Sequence, residues 1–185
     1  MIKAVVINDK ERLSEFYRLR YDVFVVEQGA APISFYPDKE LKDDFDEKGI
    51  HIGCYLNEEL VGTISFINKE QHEALMIEKV HHLKSDSSKN YAEAMRFIVV
   101  ENAKTKKFGV KGLIVNKLLG KLYEVLQQYK IDYVYVQSCE SVQKLYESIG
   151  FKQIGEYQLY EGISNECPMV LDMTAINQNI LEGVK

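Results

Sequence analysis

The segments that decide the fold are LYESIGF at Leu145–Phe151 and, earlier in the chain, AKTKKFGVKG at Ala103–Gly112. Between them the sequence predicts one amphipathic helix and one short strand. A loop of glycine and lysine that opens a helix favours an anion, because free amide groups at the helix start and nearby ammonium groups both attract negative charge. Tyr146, just before the glycine turn, carries a phenol that can donate a proton. The sequence therefore predicts an anion site and a proton donor on neighbouring elements.

Length and composition are those of one globular domain. The 185 residues fit a single core, and 46% hydrophobic with 28% charged residues are ordinary values. We therefore expect residues 1–185 to form a single domain. The N-terminus shows no signal-peptide pattern and no window reaches the length of a membrane helix, which predicts a cytoplasmic protein without a membrane partner.

Charge and cysteines exclude several function classes. The net charge of −5 argues against a nucleic-acid partner. Three well-separated cysteines without a Cys-x-x-Cys pair predict neither a disulfide framework nor a metal site, and reduced thiols fit the cytosol. The local exception is a lysine-rich stretch made of Lys104, Lys106, Lys107, Lys111, Lys117 and Lys121. It is either a solvated helix face or an anion site for pyrophosphate or for an acidic carrier protein.

Hydrophobic periodicity predicts an α+β fold with α/β/α layers. The candidate strands are KAVVI, HIGCYLN, ELVGTISFI, EAMRFIVVE, IDYVYVQ, FKQIGEYQLY and PMVLDM. The second and third strands are joined at Asn57-Glu58 as a hairpin. A helix is predicted after each of three features, which are a cap at Asn8 or Asp9, the lysine-rich loop and the fifth strand. A mixed, mostly antiparallel sheet of six to seven strands with helices on both faces would bury these elements. The sequence leaves the oligomeric state open, and the apolar tail of the chain is a candidate cover for a sheet edge.

This order of elements, with the glycine loop after the fourth strand and LYESIGF after the fifth, resembles the GNAT acyltransferase superfamily across nearly the whole chain. The resemblance implies that the fourth and fifth strands part to admit the pantetheine of an acyl-coenzyme A or acyl-phosphopantetheine thioester. It also implies that the loop wraps the pyrophosphate. The implied cofactor-binding residues are Val99, Val100, Lys106, Lys107, Phe108, Gly109, Val110, Lys111 and Gly112. The loop matches the family pattern Gln/Arg-x-x-Gly-x-Gly/Ala only at its central glycine, Gly109, so a catalytically silent module that binds an acyl thioester or a protein partner is the alternative.

A narrower resemblance is to the acyl-homoserine lactone synthases and N-acyl amino acid synthases, a branch that takes acyl groups from acyl carrier protein. Their three motifs map onto Arg20 and Phe24, onto Asp43, Phe45 and Asp46, and onto Glu93, Arg96 and Phe97. The resemblance implies transfer of an acyl group to the amine of an amino acid or another small molecule. Arg20, Phe24, Asp43 and Asp46 are then the substrate-binding electrostatic cluster, together with Glu93 and Arg96.

Acyl transfer to an amine needs a base, hydrogen bonds for the oxyanion and a proton for the departing thiolate. Glu93, Arg96 and Tyr146 are the predicted catalytic residues, with Glu93 as base and Tyr146 as acid. The amides near Val99 and Val100 are the candidate oxyanion donors. For Glu93 the other interpretation is an ion pair with an arginine, and for Tyr146 it is a ring packed in the core.

The long insertion between the third and fourth strands, residues 68–91, contains the apolar side chains Leu75, Met76, Ile77, Val80 and Leu83. Either they line a tunnel for a long acyl chain, or the insertion is a helix that packs on the sheet. The paired His81 and His82 are expected at the surface.

Overall fold

The computed structural model describes residues 1–160 and 164–175. The strands are β1 (Ile2–Ile7), β2 (Ile50–Leu56), β3 (Glu59–Asn68), β4 (Tyr91–Val99), β5 (Tyr133–Cys139), β6 (Lys152–Gln153), β7 (Gln158–Tyr160) and β8 (Ser164–Asp172). The α-helices are α1 (Lys10–Arg20), α2 (Met76–His81), α3 (Val110–Gln128) and α4 (Glu140–Ile149). A π-helical segment, Tyr21–Glu27, continues α1, and short 3₁₀ turns lie at Ile33–Phe35 and Lys69–Gln71. Most of the apolar tail that was the candidate edge cover lies outside the described residues.

Within the described residues the strands form one eight-stranded sheet in the order β1-β2-β3-β4-β5-β8-β6, with β7 also paired to β8. β1 with β2, and β8 with β5, β6 and β7, are antiparallel, whereas β4 and β5 are parallel. This confirms the predicted mixed, mostly antiparallel α+β fold. The sheet has more strands than predicted because FKQIGEYQLY is divided into β6 and β7.

The physical reason for that division is Gly155. A β-carbon at this position would lie 2.7 Å from Cγ of Pro168 in β8. Since the backbone passes this close to a proline ring, the segment bends around it, and the Ile154 amide donates to the Pro168 carbonyl at 2.9 Å.

The chain comprises two compact units. The first contains Met1–Ser65 and Arg96–Leu122, and the second contains Phe66–Met95 and Tyr123–Lys185. The unit boundaries fall inside β3, β4 and α3, so the chain passes between the units within regular elements. The single-domain interpretation stays a prediction.

In the first unit, Asp9 caps α1 by accepting a hydrogen bond from the Arg12 amide at 2.9 Å, as predicted. The apolar side of α1 packs on the first strands. The cluster there contains buried Ile7, Phe16, Tyr55 and Leu60 with partly buried Val5, Leu13, Tyr17 and Leu19. Asn57 and Glu58 both have positive φ, 49° and 69°, which is the backbone of a type I′ hairpin turn and confirms the predicted turn.

In the second unit, β5 pairs with β8 over its whole length, from Tyr133 opposite Asp172 to Cys139 opposite Glu166. The parallel register of β4 with β5 covers Tyr91–Glu93 and Tyr133–Tyr135. The separation of β4 from β5 beyond Glu93 and Tyr135 concerns residues of both units, and it stays a prediction. Gly150 ends α4 with φ 111°, as LYESIGF predicted.

The start of the apolar face of α3 differs from the prediction. The sequence pattern predicts an apolar face of α3 that contains Leu113, Leu118, Leu119, Leu122, Val125 and Leu126. The prediction is wrong for Leu113, which is 51% exposed, whereas Ile114 beside it is fully buried. The buried positions of the helix are Ile114, Leu118, Leu122, Val125 and Leu126. Leu118, Leu122, Val125 and Leu126 are as predicted, and the helical period of 3.6 residues extends this stripe back from Leu118 to Ile114 instead of Leu113.

Candidate active site

Four of the predicted cluster residues come together in the first unit around the buried carboxylate of Asp46. Its Oδ1 accepts hydrogen bonds from Arg20 Nη1 at 2.8 Å and from Arg96 Nη1 at 2.9 Å. Its Oδ2 accepts from the Asp43 amide at 2.8 Å, and Arg96 Nη2 donates to the Asp43 carboxylate. The structure therefore builds one network of alternating charge from Arg20, Asp43, Asp46 and Arg96.

The network keeps Asp46 ionised. Burial alone opposes the charged form, but the charge and hydrogen bond of Arg20, followed by the charge of Arg96, lower the pKa of this carboxyl below its usual value. Arg20 is completely buried. Burial, followed by repulsion from Arg96, lowers the pKa of its guanidinium. Breaking such a buried pair by removing one partner typically costs roughly 3–5 kcal/mol, because the other charge stays buried.

Arg96 lies in β4 with a left-handed backbone, φ 57°. A non-glycine residue in this conformation costs roughly 1–2 kcal/mol, so the contacts with Asp43 and Asp46 hold the residue against a local preference. The side chains of Arg96 and Asp43 are 16% and 36% exposed, whereas that of Asp46 is 3% exposed. The solvent-accessible edge of the network therefore consists of Arg96 and Asp43.

Three further side chains complete this network, and sequence reasoning missed them as site residues. His51 Nε2 lies 3.2 Å from the Tyr17 hydroxyl and 3.1 Å from the Asp46 carbonyl oxygen, and its Nδ1 lies 3.1 Å from the Ser65 hydroxyl. Burial lowers the pKa of His51, which favours the neutral imidazole. His51 occurs at the start of a predicted strand without any motif, so no local signal marked it.

Predicted Phe24 is half-buried in the π-helical segment.

The loop from Val100 to Gly109, in the first unit, is held by hydrogen bonds between its own residues. The side chain of Asn102 accepts from the amides of Lys104 at 2.8 Å and Thr105 at 3.0 Å. Buried Thr105 donates its hydroxyl to the Val100 carbonyl at 2.6 Å. Gly109 has φ 76° and open space where a β-carbon would lie, so its backbone conformation, not crowding, favours glycine there.

One predicted oxyanion donor is already engaged. The Val100 amide donates to the Val61 carbonyl at 2.9 Å, so the structure corrects the expectation that this amide faces a thioester. The positive φ in β4 lies at Arg96, before Val99 and Val100. The role of Val99 stays a prediction.

The remaining predicted cofactor residues surround the start of α3. Val110 is the first residue of α3, which places the amides of Lys111 and Gly112 in its first turn, where a helix supplies no internal acceptor. Lys111 Nζ lies 2.5 Å from Glu101 in an exposed ion pair, which solvent weakens. Lys106 and Lys107 are exposed, and the side chain of Phe108 is fully exposed. The loop therefore presents positive charge and helix-start amides at one surface.

Predicted Glu93 is held in the second unit. Its side chain is 1% exposed. Oε2 accepts from the Ile77 amide of α2 at 3.0 Å, and Oε1 accepts from Gln137 Nε2 of β5 at 3.2 Å. These contacts belong to α2 and β5, so the predicted place of Glu93 in the charged network stays a prediction.

Tyr146 lies on α4 in the second unit and is partly buried. Its ring contacts that of Phe151 edge to face, with centroids 5.4 Å apart. Burial, followed by the nearby Cys139 and Glu166, raises the pKa of the Tyr146 phenol to about 12. The phenol therefore stays protonated across the physiological range and can donate a hydrogen bond.

The insertion differs in part from its prediction. Leu75 and Ile77 are fully buried, and α2 packs against β5. This supports the packing helix, and a tunnel for an acyl chain stays a prediction. His81 is 8% exposed, so the expected surface position was wrong for it, whereas His82 is exposed.

A family model described as N-acyl amino acid synthase FeeM matches residues 15–174. The chain belongs to this family. It is an N-acyltransferase that uses an acyl thioester as donor, which is the leading function predicted from the sequence and not the silent binding module.

Solved structures with the same fold include FeeM itself, an N-acyl amino acid synthase from uncultured soil microbes. It is 19% identical with a TM-score of 0.69, over 95% of this chain and 92% of that one. The acyl-homoserine lactone synthase LasI is 19% identical with a TM-score of 0.75, over 99% and 95%. An acyl-CoA N-acyltransferase from Pseudomonas aeruginosa is 16% identical with a TM-score of 0.59, over 92% and 99%. These likenesses confirm the predicted GNAT-like fold.

A search of curated protein sequences finds no match. Among residues 1–160 and 164–175, no group of three histidine, cysteine or acidic side chains could hold a metal ion. In the same part of the chain, every helix is too short or too polar to cross a bilayer.

Proposed function

We propose that the chain transfers an acyl group from a phosphopantetheine thioester to the α-amine of an amino acid. The observation that carries the choice of acceptor is the network of Arg20, Asp43, Asp46 and Arg96. A free amino acid has one positive and one negative group, and the network presents both signs with a solvent-accessible edge at Asp43 and Arg96. The family description, N-acyl amino acid synthase, supports the same acceptor.

Arg96 is the arginine of the network that an acceptor can reach. Arg20 is completely buried, and its Nε and Nη2 have no access to solvent, whereas the side chain of Arg96 is 16% exposed. A guanidinium matches the two oxygens of a carboxylate. We therefore assign the carboxylate of the acceptor to Arg96 and its amine to the Asp43 side of the network.

The donor is assigned to the loop at the start of α3. Coenzyme A and acyl carrier protein both carry the thioester on phosphopantetheine, and both bring negative phosphate. Lys106, Lys107 and the first amides of α3 supply the charge and hydrogen bonds that phosphate needs. This surface supports either donor, and acyl-coenzyme A is the one to test first.

Replacing Lys106 and Lys107 together by alanine should raise KM for acyl-coenzyme A about tenfold, because two ammonium groups near the phosphates are lost, with kcat nearly unchanged. Initial rates at increasing salt provide the measurement, since the variant should also lose most of the salt dependence of kcat/KM. The matched control replaces exposed Lys89 and Lys144, with the same change of net charge. Equal KM values in both double variants would contradict this assignment of the donor.

The reaction is nucleophilic acyl substitution without an enzyme-bound acyl group. The acceptor nitrogen forms a bond to the thioester carbonyl carbon while the carbon–sulfur bond breaks, and Glu93 takes the proton from the nitrogen. Tyr146 donates a hydrogen bond to the departing sulfur. A phenol with a pKa of about 12 gives up its proton reluctantly to a thiolate, because the corresponding thiol has a pKa of about 8.5. We therefore assign the final proton of the thiol to the one that Glu93 took from the nitrogen and passes on through solvent, which also restores the base.

Tyr146→Phe should lower kcat by about tenfold to a hundredfold with little change in donor KM, because the hydrogen bond forms only as the thiolate develops. The pH–rate profiles of both proteins should have the same shape from pH 6 to about 10, since the phenol titrates above that range. The matched control is Tyr157→Phe, a neighbouring phenol whose pKa is also raised to about 12 and whose hydroxyl donates to Gln143 at 2.6 Å. A Tyr146→Phe variant as active as the control would remove Tyr146 from the chemistry.

The function as a whole is tested by thiol release. Purified protein is incubated with acyl-coenzyme A or acyl carrier protein donors of several chain lengths and with mixtures of amino acids. We expect thiol release that requires both substrates and mass spectra of an N-acyl amino acid. Thiol release with simple amines but with none of the amino acids would overturn the proposed acceptor.

The free cysteines Cys54, Cys139 and Cys167 support a reducing compartment, and we propose the cytoplasm.

A further inference from the structure

The second unit contains a polar side chain to which neither the sequence nor the family description gives a role. Gln137 lies on β5 two residues beyond Tyr135, the register partner of Glu93 on parallel β4. Side chains two residues apart on a strand point to the same face of the sheet. Gln137 therefore projects on the same side as Glu93, the side that α2 covers.

The hydrogen bonds of Glu93 divide between its two oxygens. Gln137 Nε2 donates to Oε1 at 3.2 Å, and the Ile77 amide donates to Oε2 at 3.0 Å. The amide of Ile77 is fixed by the backbone of α2, whereas Gln137 donates from a side chain. Because a carboxylate held at both oxygens cannot rotate, these two contacts fix its plane.

We infer that Gln137 is a positioning residue for the reaction, which fixes the carboxylate plane of Glu93 by donating to its Oε1. This inference rests on the proposed role of Glu93 as base. A neutral donor suits the task better than a lysine, because it orients the carboxylate without pairing its charge. Gln137 Nε2 donates to Glu93, and His81 is a second polar neighbour of the Gln137 side chain.

The titratable groups on this side of the sheet include Tyr91 of β4 and Tyr133 and Tyr135 of β5, whose rings stack on that of Tyr91. The covering helix α2 adds Glu78 and His81. Burial raises the pKa of Tyr135. Burial also lowers the pKa of His81 by more than the neighbouring Gln137 raises it. Both groups are therefore neutral near pH 7. Loss of Gln137 would lower the pKa of His81 further, because Gln137 raises it, so an upward shift in the acid limb after a change at Gln137 reports on Glu93.

The test replaces Gln137 by methionine, which has nearly the same length and no hydrogen-bonding amide. We expect kcat to fall about tenfold with donor KM nearly unchanged, and the acid limb of the kcat profile to move up by about one pH unit, because a hydrogen bond to the charged form is lost. The matched control is Gln127→Met on α3, where the exposed amide donates to the Tyr123 hydroxyl at 3.1 Å.

The Glu93→Gln variant separates the two proposals. If Glu93→Gln abolishes the acid limb but Gln137→Met has the wild-type profile, the positioning role is wrong and the base assignment stands. If Glu93→Gln leaves the profile unchanged, both are wrong. Should Gln137→Met fail to fold, Gln137→Asn, whose shorter side chain withdraws the amide from Glu93 without adding charge, is used with a carboxyl ¹³C NMR titration, in which the Glu93 resonance is identified by its loss in Glu93→Gln. An unchanged midpoint for Glu93 would then overturn the inference.

Discussion

Glu93→Gln is expected to lower kcat by at least about a hundredfold, the usual range for loss of a general base. The acid limb of the pH–rate profile should disappear, because the group that must lose its proton is gone. Glutamine has the same shape and can still accept from the Ile77 amide. The loss should therefore appear in kcat, while KM for the donor changes little.

The measurement is a pH–rate profile from pH 5 to about 10 with a saturating donor. The matched control is Glu78→Gln, another buried glutamate of the second unit, whose carboxylate pairs with Lys69 at 2.6 Å and caps the Leu75 amide at 2.8 Å. This control should lower stability but keep the acid limb. If both variants keep the limb, the base of the reaction is a group other than Glu93.

Asp46→Asn is expected to destabilise the protein by roughly 3–5 kcal/mol, the cost of leaving a buried charge without its partner. Arg20 is completely buried and donates to Asp46 at 2.8 Å, and Arg96 donates to the same oxygen. Neutral asparagine keeps the hydrogen-bond acceptor but loses the negative charge that offsets both guanidinium groups. Urea unfolding followed by circular dichroism measures the change.

The matched control is Asp43→Asn at the accessible edge of the network, where the side chain is 36% exposed. We expect a loss below about 1 kcal/mol there, because water compensates the charge of Arg96. Similar losses in the two variants would contradict a network centred on Asp46.

The pH dependence of stability gives a second measurement on the same pair. The folded-state pKa of Asp46 is lowered, so its contribution to stability is present above the unfolded value of about 3.9 and is lost as pH falls through the lower folded value. The wild-type protein should therefore lose stability below about pH 4 more steeply than Asp46→Asn. Parallel acid-denaturation curves would show that Asp46 is not the group responsible.

Local patterns predicted much of the fold because their causes are local. The cap at Asp9, the turn at Asn57-Glu58 and the helix end at Gly150 depend on the conformational preferences of a few neighbouring residues. Only the first buried position of α3 was missed, since Leu113 and Ile114 are both apolar and only the packing partner distinguishes them. The division of FKQIGEYQLY depends on Pro168, which the sequence places far along the chain.

The sequence by itself determined the chemical groups that the site contains: Arg20, Asp43, Asp46 and Arg96 were all predicted from their motifs. Only the tertiary structure decided how they are arranged, with Asp46 as the shared acceptor and His51 beside it. It also decided that Glu93 is held by the amide of Ile77 and the side chain of Gln137. The physical reason is that hydrogen bonds and buried charge pairs join residues far apart in the chain, whereas sequence patterns report only what neighbouring residues prefer.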